Sequence, residues 1–293
     1  MNSPLALLTS LAIGLVVGTL TAIFGVGGGF LITPLLHVIL GVPMPTAVGT
    51  SSVQILGVSA GSLYERRRSA PPALKIALVM LGGNYAGVQL GARLLGYLES
   101  LGQLTLNNRP VSAADLGVLL IYVPLLVGIA VLMRREAHRA PEQADITTGY
   151  LAKIRIPPYS DFGTHAPNRL SIPAVTLLGL AIGFLTGLLG IGGGVILFPA
   201  LVYLVGLPTR QASSTSLVIV LFTAIIAVVT HTLADHVNLI LVIPLLVGGS
   251  LGTRLGVDIL AKMNAAQIRQ GFVYVLILAI LIVLYQLVTV LFI

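Results

Sequence analysis

Cysteine is absent from the 293-residue chain. Disulfides, thiolate catalysis, iron–sulfur clusters and zinc–thiolate sites are therefore excluded together. Charge is scarce: 9% of the residues are Asp, Glu, Lys or Arg, against about 25% in an ordinary soluble domain. Too few polar side chains remain to cover a water-facing surface, which excludes a soluble globular protein and a disordered chain. The sequence also lacks the apolar–polar alternation of a transmembrane β-barrel. What it has is apolar length: 56% hydrophobic residues and a mean hydropathy of +1.03. The fold class is an all-α polytopic membrane protein. At about 20 apolar residues per crossing, the chain has room for roughly eight to ten transmembrane helices. The net charge of +7 reads as the Lys/Arg bias of cytoplasmic loops, not as a nucleic-acid surface. The opening MNSPLALLTSLAIG has no basic n-region and reads as the start of the first span, not as a cleaved signal peptide.

An internal repeat organises the chain. Residues 25–36 read GVGGGFLITPLL and residues 190–201 read GIGGGVILFPAL. At this offset of 165, residues 14–51 align with 179–216 without a gap and share 16 identities. Gly83, Gly87 and Gly91 meet Gly248, Gly252 and Gly256 in the same register. The expected organisation is a first transmembrane repeat over 1–133, a cytoplasmic linker over 134–171 and a second repeat over 172–293. Each repeat holds five apolar segments, near 5–24, 29–40, 47–64, 74–98 and 114–133, then 172–189, 194–206, 212–233, 238–261 and 271–293. The second segment of each is only about 12 residues, or ~18 Å of helix, too short for a ~30 Å hydrocarbon core. The glycine-rich turn before it is therefore expected at some depth inside the protein.

Charge placement selects the topology. With five crossings per repeat the second copy is inverted. Thirteen of the 16 Lys/Arg then share one side, Arg109 lies opposite, and Arg93 and Arg254 fall within helices. Four crossings per repeat would split the loop cations 10 to 4, which fits the positive-inside rule less well. Two inverted five-segment repeats are expected, with both termini outside. Residues 134–171 are the one long polar stretch and read as a cytoplasmic connector.

The paired G-[VI]-G-G-G motif is the strongest chemical signal. Amides of consecutive glycines are open to a ligand, and the backbone can take positive φ. A short helix follows at once, and the free N–H groups of its first turn favour an anion. Inverted-repeat transporters place such broken helices where the copies meet. The candidate substrate-binding residues are Gly27, Gly28, Gly29 and Phe30 in one copy and Gly192, Gly193, Gly194 and Val195 in the other. Hydroxyls follow each short helix: Thr50 and Ser51, matched by Thr215 and Ser216. They can cap a helix or donate to an oxyanion, and Gln54, one turn on, adds an amide. The spaced glycines at 83/87/91 and 248/252/256 read as helix-packing or sliding surfaces. Arg254, Arg93 and His37 are candidate charge or coupling groups. Asp115 and Asp258 lie towards span ends, so coupling through a central carboxylate finds little support. No HExxH or pair of mid-span aspartates is present, and no enzyme, cofactor or metal site is expected.

GVGGGFLITPLL with GVPMPTAVGTSS, echoed by GIGGGVILFPAL with GLPTRQASSTS, resembles the TauE/SafE sulfite exporter family over nearly the whole chain. The resemblance implies a multi-pass protein of the bacterial inner membrane that exports sulfite, sulfoacetate or related organosulfonates. It also implies drive by the membrane potential or a proton gradient, with protons as a candidate coupling ion. Two departures break the symmetry: Ser214 stands opposite Gly49 and Arg210 opposite Pro45. The expected function is alternating-access export of a small sulfur oxyanion, with one repeat rocking on the other along the glycine faces. A facilitative anion channel or a transporter of another small anion is the alternative, and a homo-oligomer is compatible with each.

Overall fold

The computed structural model describes residues 4–66, 71–106, 109–139, 149–154, 156–162 and 169–292. Within them the chain is almost entirely helical. The first half runs α1 (Pro4–Phe24), α2 (Gly29–Leu40), α3 (Met44–Arg66), α4 (Leu74–Ser100) and α5 (Ala113–Arg139). The second half repeats the order with α6 (Ile172–Leu189), α7 (Gly194–Val205), α8 (Thr209–Leu233), α9 (Leu239–Lys262) and α10 (Ala265–Phe292). Six of these are long and apolar enough to cross a membrane: α1, the Ala113–Arg134 part of α5, α6, α8, α9 and α10. The helices α3 and α4 are as long but carry polar residues along their length. Only α2 and α7 are short. The protein is an all-α polytopic membrane protein.

Local chemistry sets the helix ends. Asn264 and Gln267 form a reciprocal capping box at the start of α10, with contacts of 2.9 and 2.8 Å. Asn238 Oδ1 accepts from the amides of Ile240 and Leu241 at the start of α9. Ser171 does the same for α6 through Ala174, with Pro173 in the first turn, where a missing N–H costs nothing. Pro199 removes a donor inside α7, and the helix widens to a π-helix over Ala200–Val205. Two features had no expectation in the sequence. A hairpin of β1 (Gln103–Leu106) and β2 (Arg109–Ser112) joins α4 to α5. A two-residue ladder, β3 (Tyr159–Ser160) with β4 (Leu170–Ser171), lies in the connector. Most of 140–168 lies outside the described residues.

The two halves exchange helices. The most extensive interfaces pair α1 with α9 and α4 with α6, the first helix of one half against the fourth of the other. Glycine makes both possible. A Cβ on Gly83, Gly87 or Gly91 would strike the carbonyl oxygens of Thr176, Leu180 and Phe184. Reciprocally, Cβ atoms on Gly179, Gly183 and Gly187 would strike those of Met80, Asn84 and Val88. Adding 165 to the α4 positions, and subtracting it from the α6 positions, gives the other interface: Gly248, Gly252 and Gly256 face the Leu11, Leu15 and Thr19 oxygens, and Gly14 and Gly18 face those of Leu245 and Gly249. At this approach Cα–H groups meet carbonyl oxygens directly, and dispersion acts along the whole length. Surfaces that slide need slack, and these have none. They fasten the halves together.

Gly87→Val should therefore destabilise the protein by about 1–3 kcal/mol or more, because the new side chain meets backbone that cannot yield. Gly82→Ala is the control: its Cβ meets nothing within 4 Å, and removing a helix glycine should be neutral or mildly stabilising. Unfolding of the two purified variants in detergent micelles checks this. Equal midpoints would refute the close-contact account.

Candidate functional site: two glycine turns face to face

The turn after α1 carries positive φ at Gly25, Gly27 and Gly28, and the turn after α6 carries it at Gly190, Gly192 and Gly193. An L side chain is strained in that region, so GxGG in each copy is a backbone requirement. Gly28 and Gly193 are the left-handed N-cap residues of α2 and α7. The hydrogen bonds of α2 begin with Leu31 and Ile32, which donate to Gly28 O at 3.0 and 3.2 Å. In α7 they begin with Ile196 and Leu197, which donate to Gly193 O at 3.0 and 2.8 Å. The amides before them find no acceptor among the described residues. They belong to Gly27, Gly28, Gly29 and Phe30 in one copy, and to Gly192, Gly193, Gly194 and Val195 in the other. All eight residues are buried.

The turns touch. A Cβ on Gly29 would strike Gly190 O, and one on Gly194 would strike Val26 O. Two apolar side chains at matching positions lie against them. Ile55 comes within 3.1 Å of the Cβ position of Gly27 and 3.0 Å of that of Gly192. Val220 lies 2.6 Å from that of Gly27. Beside Gly28 stands the Thr21 hydroxyl, buried and without a partner, and beside Gly193 stands that of Thr186. Below them Phe272 of α10 packs against Phe24, Phe30 and Phe198 at 5.6, 6.4 and 5.2 Å. Phe30 thus offers the site its amide, while its ring belongs to the core.

The hydroxyls expected at the site sit beside the turns and have protein partners. Ser216 donates to Gly25 O at 2.7 Å. Ser51 lies 3.3 Å from Gly190 O and 2.9 Å from Val48 O, with Thr33 Oγ1 at 3.0 Å. Each serine therefore ties the helix of one half to the turn of the other. Thr50 accepts from the Asn238 amide at 3.0 Å, and Thr215 accepts from the Ala73 amide at 2.9 Å. These hold the starts of α9 and α4. Gln54 is fully buried, and neither of its amide atoms has a partner. Its Nε2 points at α9, 3.0 Å from the Cβ position of Gly249. Asn84 is the mirror case on α4: its Oδ1 accepts from Thr223 at 2.9 Å, and its Nδ2 has no partner.

The charged candidates lie elsewhere. Arg93 and Arg254 are exposed on the outside of α4 and α9. Arg254 edges a 350 Å³ groove with Leu246, Val247, Ser250 and Leu251. His37 pairs through Nδ1 with Val42 O at 2.7 Å and closes the end of α2. A cation that sequence reasoning missed is buried instead. Arg269 of α10 is 5% exposed and donates to Thr209 Oγ1 at 3.2 Å, one turn from Phe272. It is the one buried Lys or Arg among the described residues, and no Asp or Glu there is buried with it. At the start of the last helix it looked like one more loop cation, and only its tertiary surroundings distinguish it.

The family model described as "Sulfite exporter TauE/SafE" matches residues 10–283. The chain belongs to the TauE/SafE sulfite exporter family. Membership makes it a membrane transporter, and the family implies a small anion as substrate. It is similar to the probable membrane transporter protein YunE of Bacillus subtilis, 28% identical, covering 87% of this chain and 89% of the relative. A probable membrane transporter protein of Xylella fastidiosa (strain 9a5c) is 25% identical over 89% and 88%. MJ0441 of Methanocaldococcus jannaschii, also a probable membrane transporter protein, is 25% identical over 85% and 86%. No solved structure matches the chain.

The serine contacts give a graded prediction. Ser216→Ala leaves the buried Gly25 carbonyl without its donor and should cost about 1–3 kcal/mol. Ser51→Ala should cost less, because Thr33 Oγ1 stays 3.4 Å from Gly190 O and can take over. Thermal unfolding of both variants measures the order; a larger loss for Ser51→Ala would contradict it.

Proposed function

We propose that this TauE/SafE member moves sulfite or a small organosulfonate anion through the point where the two glycine turns meet. The supporting observation is the pair of buried amide runs without acceptors. Unpaired N–H groups in a bilayer protein cost about 1–3 kcal/mol each, and an oxyanion with three outward oxygens supplies the missing acceptors. Amides of Gly27–Phe30 and Gly192–Val195 bind the sulfo oxygens, and the first turns of α2 and α7 add partial positive charge. Ser51 and Ser216 hold those turns in place, Thr50 and Thr215 anchor the neighbouring helix starts, and the unpartnered Thr21 hydroxyl beside Gly28 is a further donor. Arg269 supplies the one full charge, offset from the turns, so the anion is attracted without being trapped in an ion pair.

The reading extends to topology and motion. The halves are inverted repeats in the inner membrane, with Lys75, Arg210, Lys262 and Arg269 on the cytoplasmic side. Because α1–α9 and α4–α6 are fastened backbone to backbone, the bodies that rock in alternating access are these exchanged pairs, not the two sequence repeats. Ile55 and Val220, lying over the turns, are the apolar gate.

The test is uptake of labelled sulfite by proteoliposomes holding the purified protein, with sulfate, thiosulfate and sulfoacetate as competitors. Saturable uptake blocked by only some of these anions is expected. Arg269→Gln, folded, should lower it about 10-fold, the ~1.4 kcal/mol of attraction that an unpaired cation exerts on the anion at a distance. No uptake by folded protein, with or without a pH gradient, rejects sulfite as the substrate. Flux that never accumulates anion against a gradient makes the protein a channel.

A further inference from the structure

The helices α4 and α8 run parallel, as contacts of near-constant offset show: Asn84 with Thr223, Gln89 with Thr230, Glu99 with His236. Their C-terminal ends and the start of α9 therefore gather at one end of the bundle, opposite Lys75, Arg210 and Lys262. Three titratable side chains meet there. Glu99 Oε2 lies 2.9 Å from His236 Nε2, and His236 Nδ1 lies 3.4 Å from His231 Nδ1. Exposure falls along the row, from 49% for the Glu99 side chain to 10% for that of His236, and to 1% for His231. His231 Nε2, the inner end, is buried and has no partner.

The carboxylate fixes the protons. An ionised Glu99 accepts only, so His236 carries its proton on Nε2 and presents a bare Nδ1 inward. His231 Nδ1, at 3.4 Å, faces that nitrogen. The row holds one negative charge in this state. One proton from water neutralises it, and a second makes it positive. Among the described side chains, no other charge is paired with the row. Asp235 in the same loop is exposed, as is Arg93 further back on α4. Asp115 of α5 accepts from the Met44 amide at the start of α3, and His37 of α2 is engaged with Val42 O. The helix α6 contributes no titratable group.

The loop that carries His236 packs on the start of α3. A Cβ on Gly49 would strike His236 O, and the Asn238 amide donates to Thr50. The loop carrying His236 is thus seated on the start of α3, where Ser51 reaches Gly190 O. We infer that Glu99, His236 and His231 form a proton-binding site at this mouth, and that protonation there speeds anion entry from the same side. The inference rests on the anion-transport reading above. Neutralising a fixed negative charge at the mouth removes a repulsion that an approaching anion would feel.

Two measurements test it. The first is uptake of labelled thiosulfate and sulfoacetate, which keep their charge over the range used, with the pH on the histidine side lowered from about 8 to about 5. Wild type should speed up severalfold, while Glu99→Gln and His236→Gln should show the same rate throughout. A flat wild-type profile, or variants that follow wild type, overturns the inference. The second needs no substrate: nitrogen-15 NMR of histidine-labelled protein in bilayers. His236 should gain a proton across that range, and Glu99→Gln should move the transition to lower pH. A His236 that stays neutral to pH 5 overturns the inference even if anions are carried. Imidazoles that titrate in a protein that carries no anion support the proton site and place the failure in the transport reading.

Discussion

Inside a bilayer every backbone N–H must find an acceptor within the protein, because lipid offers none. Helices meet that demand by themselves, except at their first turns. A helix that starts deep in the protein therefore needs either a cap or a ligand. The α2 and α7 starts have no side-chain cap. Ser, Thr, Asp or Asn would be the ordinary solution at the N-cap, and α9 uses one in Asn238. At α2 and α7 the N-cap is glycine, preceded by more glycine. The repeat spends its N-cap position on backbone shape, which leaves donors open.

Holding two such turns against each other is a packing problem, and the exchanged helices solve it. The glycine contacts of α1 with α9 and α4 with α6 bring the fourth helix of each half within reach of the other half's turn. The helices α3 and α8 then close the centre, with Ser51 and Ser216 each bonding the turn carbonyl contributed by the opposite half. Neither turn is held by its own half alone. This is why the repeat matters physically: a single copy would leave both the glycine faces and the turn carbonyls unmatched.

Much of this was legible in the sequence, for identifiable reasons. The bounds of α2 and α6 are those read from the apolar segments, because glycine and proline mark their ends. The spaced glycines were recognised as packing faces, since a period of four puts them on one side of a helix. Their tightness was not, because no sequence shows how near the partner's backbone comes. The hydroxyls stand beside the turns, while their partners lie about 140 to 190 residues away in the other half and leave no local trace. Arg93 and Arg254 illustrate the same limit in reverse. Hydropathy places them in spans but does not tell which face looks outward. The histidine row was missed because its members come from α4, α8 and a loop.

What distinguishes the two ends of the molecule is side-chain chemistry laid over a shared backbone. The turns, the serines and the glycine faces recur at an offset of 165. The longer polar side chains around them do not. Gln54 stands opposite Ile219, Asn84 opposite Gly249, Arg269 opposite Leu104, and Glu99 opposite Asn264. A symmetric cradle would hold an anion equally well from either side. Gradients, not the protein, set the direction of net flow through a reversible cycle. Asymmetry can still decide which ions are linked to that flow. An arginine beside one mouth and a carboxylate–histidine row beside the other give the two sides different charge and different pH response. Backbone amides carry neither property, so the repeat preserves the amides while the sequences around them have diverged.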